Sequence, residues 1–160
     1  MATVAVRYQA SAIVGAGLAA GLLFALFEMV ASAAMQGLAA ALMPLRMIGA
    51  MILGPAALDP SYSIGVAAMT GVIVHLALSV AFAFVLAAML SPHWTRNQAA
   101  LAGVAFGLGL WLVNFYMIAP LLGWDWFSRS DPMVQVIAHT AFFGCPAAWL
   151  LSRSHVVLVS

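Results

Sequence analysis

The chain has 160 residues, 66% of them hydrophobic and only 6% charged, with no lysine and a formal net charge of +1. A soluble domain carries roughly one-quarter charged residues, so this is an integral membrane protein, with neither a nucleic-acid surface nor a polybasic lipid-binding tail. Its one cysteine, Cys145, excludes an internal disulfide and any paired-cysteine redox or zinc motif, and in an apolar stretch it reads as core packing.

A span needs about 20 mostly apolar residues. Four stretches qualify, at 11–36, 63–90, 98–121 and 132–152. They predict an all-α, four-helix transmembrane bundle forming a single domain over 1–160. The first stretch imitates a secretory signal, with Arg7 ahead of it and Ala31-Ser32-Ala33 near its end. The run from Ser11 to Val30 is too long for the apolar core of a signal, about 7–15 residues, and Glu28 interrupts it. A transmembrane helix is expected there instead.

The stretch 38–58 is apolar but broken by Pro44, Arg46, Gly49, Gly54 and Pro55. A central arginine disfavours a fifth span. A short interfacial or re-entrant helix is expected, since irregular backbone at membrane depth needs protein or water around it. Met35, Met43, Met47 and Met51 cluster there. Their spacing suits one apolar helix face, and also a thioether patch for Cu(I).

Asp59-Pro60 and Asp131-Pro132 each set a carboxylate before a proline, and should start the second and fourth long helices. Ser91-Pro92 should end the second, and Pro120 with Gly123 the third. In alternating topology Arg7, Arg96 and Arg153 fall on one side, and Arg46 and Arg129 on the other. The positive-inside rule then puts both termini in the cytoplasm of a bacterial cell. Tyr8, Trp94 and Trp149 would belt the inner interface, and Tyr62, Trp124 and Trp126 the outer one.

The first and third stretches share a pattern. Gly17 and Gly21 are followed by Glu28, and Gly103 and Gly107 by Asn114, in both cases seven positions after the second glycine. The second and fourth each carry one histidine, in Ile73-Val-His75 and Ile137-Ala-His139. Two tandem helical hairpins would explain this, an arrangement that places sites at the repeat interface. Chance likeness between apolar segments is the alternative. Residues seven and eleven apart share a helix face, so Glu28 and Asn114 should face inward with the glycines, whose small faces let helices pack closely. His75 lies on a stripe with Gly71 and Ser79, and His139 has Gln135 one turn before it. Glu28, His75, Asn114 and His139 should therefore form one buried layer in the outer half of the bilayer.

That layer leaves several chemistries open. It can be a structural polar cluster, with Glu28 paired to an imidazole or protonated. His75, His139 and Glu28 are usual ligand types for zinc or iron, and the two histidines alone could hold a haem b. A proton or ion path, or quinone or lipid binding, would use the same residues. No catalytic signature is visible, so catalytic residues and enzyme activity are not expected. The outer loop Gly123–Asp131 reads as an aromatic interfacial anchor.

His75-Leu-Ala-Leu-Ser-Val-Ala-Phe82, Gly103-Val-Ala-Phe-Gly107-Leu-Gly-Leu-Trp111-Leu and Pro120-Leu-Leu-Gly123 together resemble an uncharacterised family of small bacterial four-helix integral membrane proteins. The resemblance implies a four-helix fold and transfers no functional residue. Short loops leave little soluble surface, so an accessory subunit of a larger membrane complex, such as a respiratory or electron-transfer assembly, is the expected role. Lipid and other membrane subunits or further copies of the chain are the expected partners.

Overall fold

The computed structural model describes residues 4–159, with side chains described for 8–154. Five helices are present: α1 (Ala10–Gln36), α2 (Met43–Leu53), α3 (Ile64–Met89), α4 (Arg96–Leu121) and α5 (Pro132–Leu151). All but α2 are long and apolar enough to cross a bilayer. Their ends fall within two residues of the expected bounds, and most of them are marked by a proline, a glycine or a polar cap. Asp131 Oδ1 accepts from the backbone N–H groups of Met133 (2.8 Å) and Val134 (3.0 Å) at the start of α5.

Asp59-Pro60 does not start a helix. Asp59 Oδ1 instead accepts from the Ser61 N–H (2.8 Å) and hydroxyl (2.6 Å), closing an Asx turn. Ser63 caps α3 in its place, accepting from the Val66 N–H. Local side-chain bonding to nearby backbone is the competitor of capping for aspartate, and here it wins.

The chain ends form a ribbon that hydropathy does not announce. β1 (Val4–Tyr8) pairs antiparallel with β2 (His155–Val159), with Tyr8 opposite His155 and Val4 opposite Val159. The start of α1 packs against the end of α5, so the two extended tails emerge side by side and satisfy each other's backbone groups.

α1 with α3, and α4 with α5, make two hairpins joined by a contact between α1 and α5. Glycines set both hairpins. A Cβ on Gly17 would lie 2.9 Å from the Val80 Cα, and one on Gly21 would meet the Ser79 side chain. Cβ atoms on Gly103 and Gly107 would fall on the carbonyls of Gly144 and His139. All four expected packing glycines thus sit at helix contacts. The register is shared as well. Gly17 meets Val80, five residues past His75, and Gly103 meets Gly144, five past His139. This correspondence supports two related hairpins.

Only Leu90–Thr95 joins α3 to α4, yet the two helices barely touch. They diverge from that turn, and α2 fills the wide end of the gap. α2 lies antiparallel on α3, since a Cβ on Gly71 would fall on the Leu45 carbonyl and one on Gly49 on the Ala67 carbonyl. Leu45 therefore sits opposite a point about 10 Å along α3 at ~1.5 Å per residue, the geometry of a re-entrant segment. Ser32 donates to the Ala40 carbonyl at 2.7 Å, fixing the descent from α1. Arg46 is buried and donates to the carbonyls of Ala57 (2.7 Å), Asp59 and Tyr62 (3.2 Å). The arginine counted above as a loop charge is an internal clamp.

A candidate ligand cavity between the hairpins

Divergence of α3 and α4 leaves a cavity of about 730 Å³, within the usual range for small-molecule sites of about 300–1,000 Å³. α1 and α5 form its back and α3 and α4 its sides, while α2 and the loop 122–131 cover its wide end. Glu28, His75, Asn114 and His139 all line it. Glu28, His75 and His139 are 7%, 8% and 6% exposed, and Asn114 is half-buried. The layer expected from glycine phase is one wall system around a shared space.

Helix geometry changes where that layer matters. Residues Asn114–Ile118 of α4 and Ala138–Gly144 of α5 are π-helical. π turns inside α-helices often occur at functional sites. One begins at Asn114 and the other contains His139, so both widened stretches lie on the cavity wall. α1 and α3 are regular throughout. The second hairpin thus differs from the first at its polar residues.

The hydrogen bonds separate the expected chemistries. Glu28 Oε1 accepts from Gln135 Nε2 at 2.6 Å; its partner is an amide rather than an imidazole. His75 Nε2 lies 2.8 Å from the Gly21 carbonyl, and His139 Nδ1 lies 2.8 Å from the Gln135 carbonyl. Both ring bonds end on backbone carbonyls, so these side chains alone make no proton wire. Phe24 packs against both rings, with centroids 5.1 Å from His75 and 4.8 Å from His139. A porphyrin plane between the two histidines would have to displace Phe24, so the residues as placed do not fit a bis-histidine haem. Among the described residues, no three of His, Cys, Asp and Glu come together as a metal site, which leaves Glu28, His75 and His139 without a shared ion position.

Several participants stand outside the four-residue layer that the sequence singled out. Gln135 is the crossing partner of Glu28, and Phe24 separates the histidines. Trp124, Trp126 and Phe127 turn onto the cavity wall, and Trp126 Nε1 donates to the Met47 carbonyl at 3.1 Å, tying the loop to α2. The expected interfacial anchor thus also covers the cavity. Met35, Met43, Met47 and Met51 line the same wide end. The signal for Gln135 was its place one turn before His139. For Phe24 there was none, since an aromatic in an apolar span is ordinary.

The Glu28–Gln135 bond carries its own prediction. Gln135→Leu should lower stability by about 2 kcal/mol, because the carboxyl loses its partner in an apolar setting. Glu28→Leu with Gln135→Leu should recover most of that loss, as replacing both partners can be nearly neutral. A double-mutant cycle on thermal melting in detergent measures the coupling. Additive losses would mean the bond contributes nothing.

No protein-family model, curated protein or solved structure matches the chain.

Proposed function

We propose that this membrane protein is a non-catalytic binding protein for a small, mostly apolar molecule with a polar end, held in the cavity between the two hairpins. One observation carries the reading. Polar residues from four separate helices, costly in an apolar bundle, converge on a single cavity whose remaining walls are mostly Phe, Leu, Met and Trp side chains, with Ser79, Gln135 and, at the covered end, Arg129 and Asp131 among them. Convergent polar groups in an apolar pocket are the usual form of a ligand site. A cluster serving only to fix helix register would be expected to close on itself, whereas the Asn114 amide has no hydrogen-bond partner among the described residues.

The test is extraction and mass spectrometry of protein purified in mild detergent or native nanodiscs. A stoichiometric apolar compound is expected with the wild type. It should be depleted severalfold in a His139→Leu variant that still folds. A folded wild type that carries no such compound and binds none from a panel of membrane-soluble amphiphiles would overturn the reading.

The expected subunit role is compatible with this one. The connections 37–42, 90–95 and 122–131 are short, and no soluble domain stands between the long helices. Such a chain suits membership of a larger membrane complex, with respiratory or electron-transfer assemblies the class expected. We place it in the bacterial cytoplasmic membrane with both termini cytoplasmic, in accord with an even number of spans and paired chain ends. Co-purification in mild detergent tests membership: distinct partner subunits support it, and a monodisperse lone chain counts against it.

A further inference from the structure

Resting on the cavity as a ligand site, we infer that its polar wall selects a hydrogen-bond donor, namely a hydroxyl group borne on an apolar body such as an alkylphenol, a quinol or a polycyclic alcohol. Donors and acceptors around the two rings decide the preference. A carbonyl oxygen only accepts, so His139 Nδ1, 2.8 Å from the Gln135 carbonyl, carries its proton. His75 Nε2, 2.8 Å from the Gly21 carbonyl, does the same. In a neutral imidazole the other nitrogen is then an acceptor. No carboxylate bonds either ring, and a buried imidazolium without one would be very unfavourable in an apolar span.

The wall therefore holds two lone pairs, His139 Nε2 and His75 Nδ1, on rings that are more than nine-tenths buried. Among the described residues neither nitrogen has a donor. Three nearby donors are engaged elsewhere: Ser79 Oγ donates to the His75 carbonyl at 2.8 Å, Thr140 Oγ1 to the Val136 carbonyl at 2.6 Å, and Gln135 Nε2 to Glu28 at 2.6 Å; the Asn114 amide and the Arg129 guanidinium also line the cavity, and neither bonds a histidine ring. Buried acceptors are satisfied in the great majority of proteins. Here the missing donor comes from the occupant. Phe24, Phe82, Leu110, Phe115 and Phe143 supply the apolar walls for its body.

A matched pair of probes isolates the hydroxyl: 4-nonylphenol and its methyl ether, 4-nonylanisole, titrated into the full chain in nanodiscs. Both concentrations are counted as mole fraction in lipid. Trp124 and Trp126 on the cavity wall report occupancy by fluorescence. The phenol should bind about tenfold more tightly than the ether, the scale of one good buried hydrogen bond. His139→Leu should reduce that preference at least threefold while leaving ether binding in place; if that variant does not fold, His75→Leu serves the same purpose. Equal binding of the two probes to the wild type overturns the donor selection and leaves the cavity reading standing. Binding of neither overturns both.

Discussion

Replacing Arg46 with methionine should lower the stability of the folded protein by about 3–5 kcal/mol, the range for breaking one side of a buried charged interaction. Methionine replaces the apolar stem of arginine but not the guanidinium, so the packing of the stem changes little. What disappears is a guanidinium donating to three carbonyls, those of Ala57, Asp59 and Tyr62, on the chain that links α2 to α3. Hydrogen bonds to charged groups contribute about 1.5–3 kcal/mol each, and the three carbonyls share one donor group. The Ser61 hydroxyl and N–H, with the nearby Arg46 guanidinium, hold the carboxyl of Asp59 below the usual carboxylate range. The turn therefore stays anionic beside the clamp at neutral pH. Arg46→Lys should lose roughly half as much, because one ammonium cannot span the same fan of acceptors. Thermal melting in detergent measures the loss. A red shift of tryptophan emission would report release of Trp126 from the Met47 carbonyl. A methionine variant melting like the wild type would remove Arg46 from any structural role.

Gly144→Ala should separate the α4–α5 hairpin and lower stability by about 3 kcal/mol, at the upper end of ordinary overpacking losses. A Cβ there falls on the Gly103 carbonyl, and one on Gly103 falls on the Gly144 carbonyl and near Ala148. Backbone meets backbone, so no flexible side chain can yield. Gly103→Ala should behave alike, and the double variant should lose less than the sum because both strain one contact. Gly15 and Gly109 have open space around a built Cβ. Alanine at either should change stability by less than about 0.5 kcal/mol. Melting of the four single variants and the double variant side by side is the measurement, and equal effects at Gly15 and Gly144 would refute close packing as the cause.

The long helices were legible in the sequence because apolar runs, prolines and caps act locally. Asp131-Pro132 began α5 as expected. Asp59-Pro60 did not begin α3, because a serine two residues on offered the carboxylate a nearer partner. The inward layer was also legible. Gly17, Gly21 and Glu28 repeat on one face, and helical phase is a property of the sequence. What Glu28 would bond was not, since Gln135 lies on another helix and only tertiary packing brings them together. The clamp role of Arg46 was hidden for a similar reason. Composition marks a charge in an apolar segment as a break, while its carbonyl partners are 11 to 16 residues away. Cavity and π turns were invisible to periodicity, because they arise from how α3 and α4 part company.

The divergence of α3 and α4 also sets the reference state for anything that enters between them. On the proposed reading, a molecule arriving through that flank would pass from lipid chains to phenylalanine and leucine without crossing water. Its tail gains little on the way, because lipid is as apolar as the protein wall. Discrimination among occupants would then fall on the few polar atoms of Glu28, His75, Asn114 and His139. Lipophilicity would decide how much of a compound dissolves in the surrounding leaflet, and the headgroup would decide whether it stays.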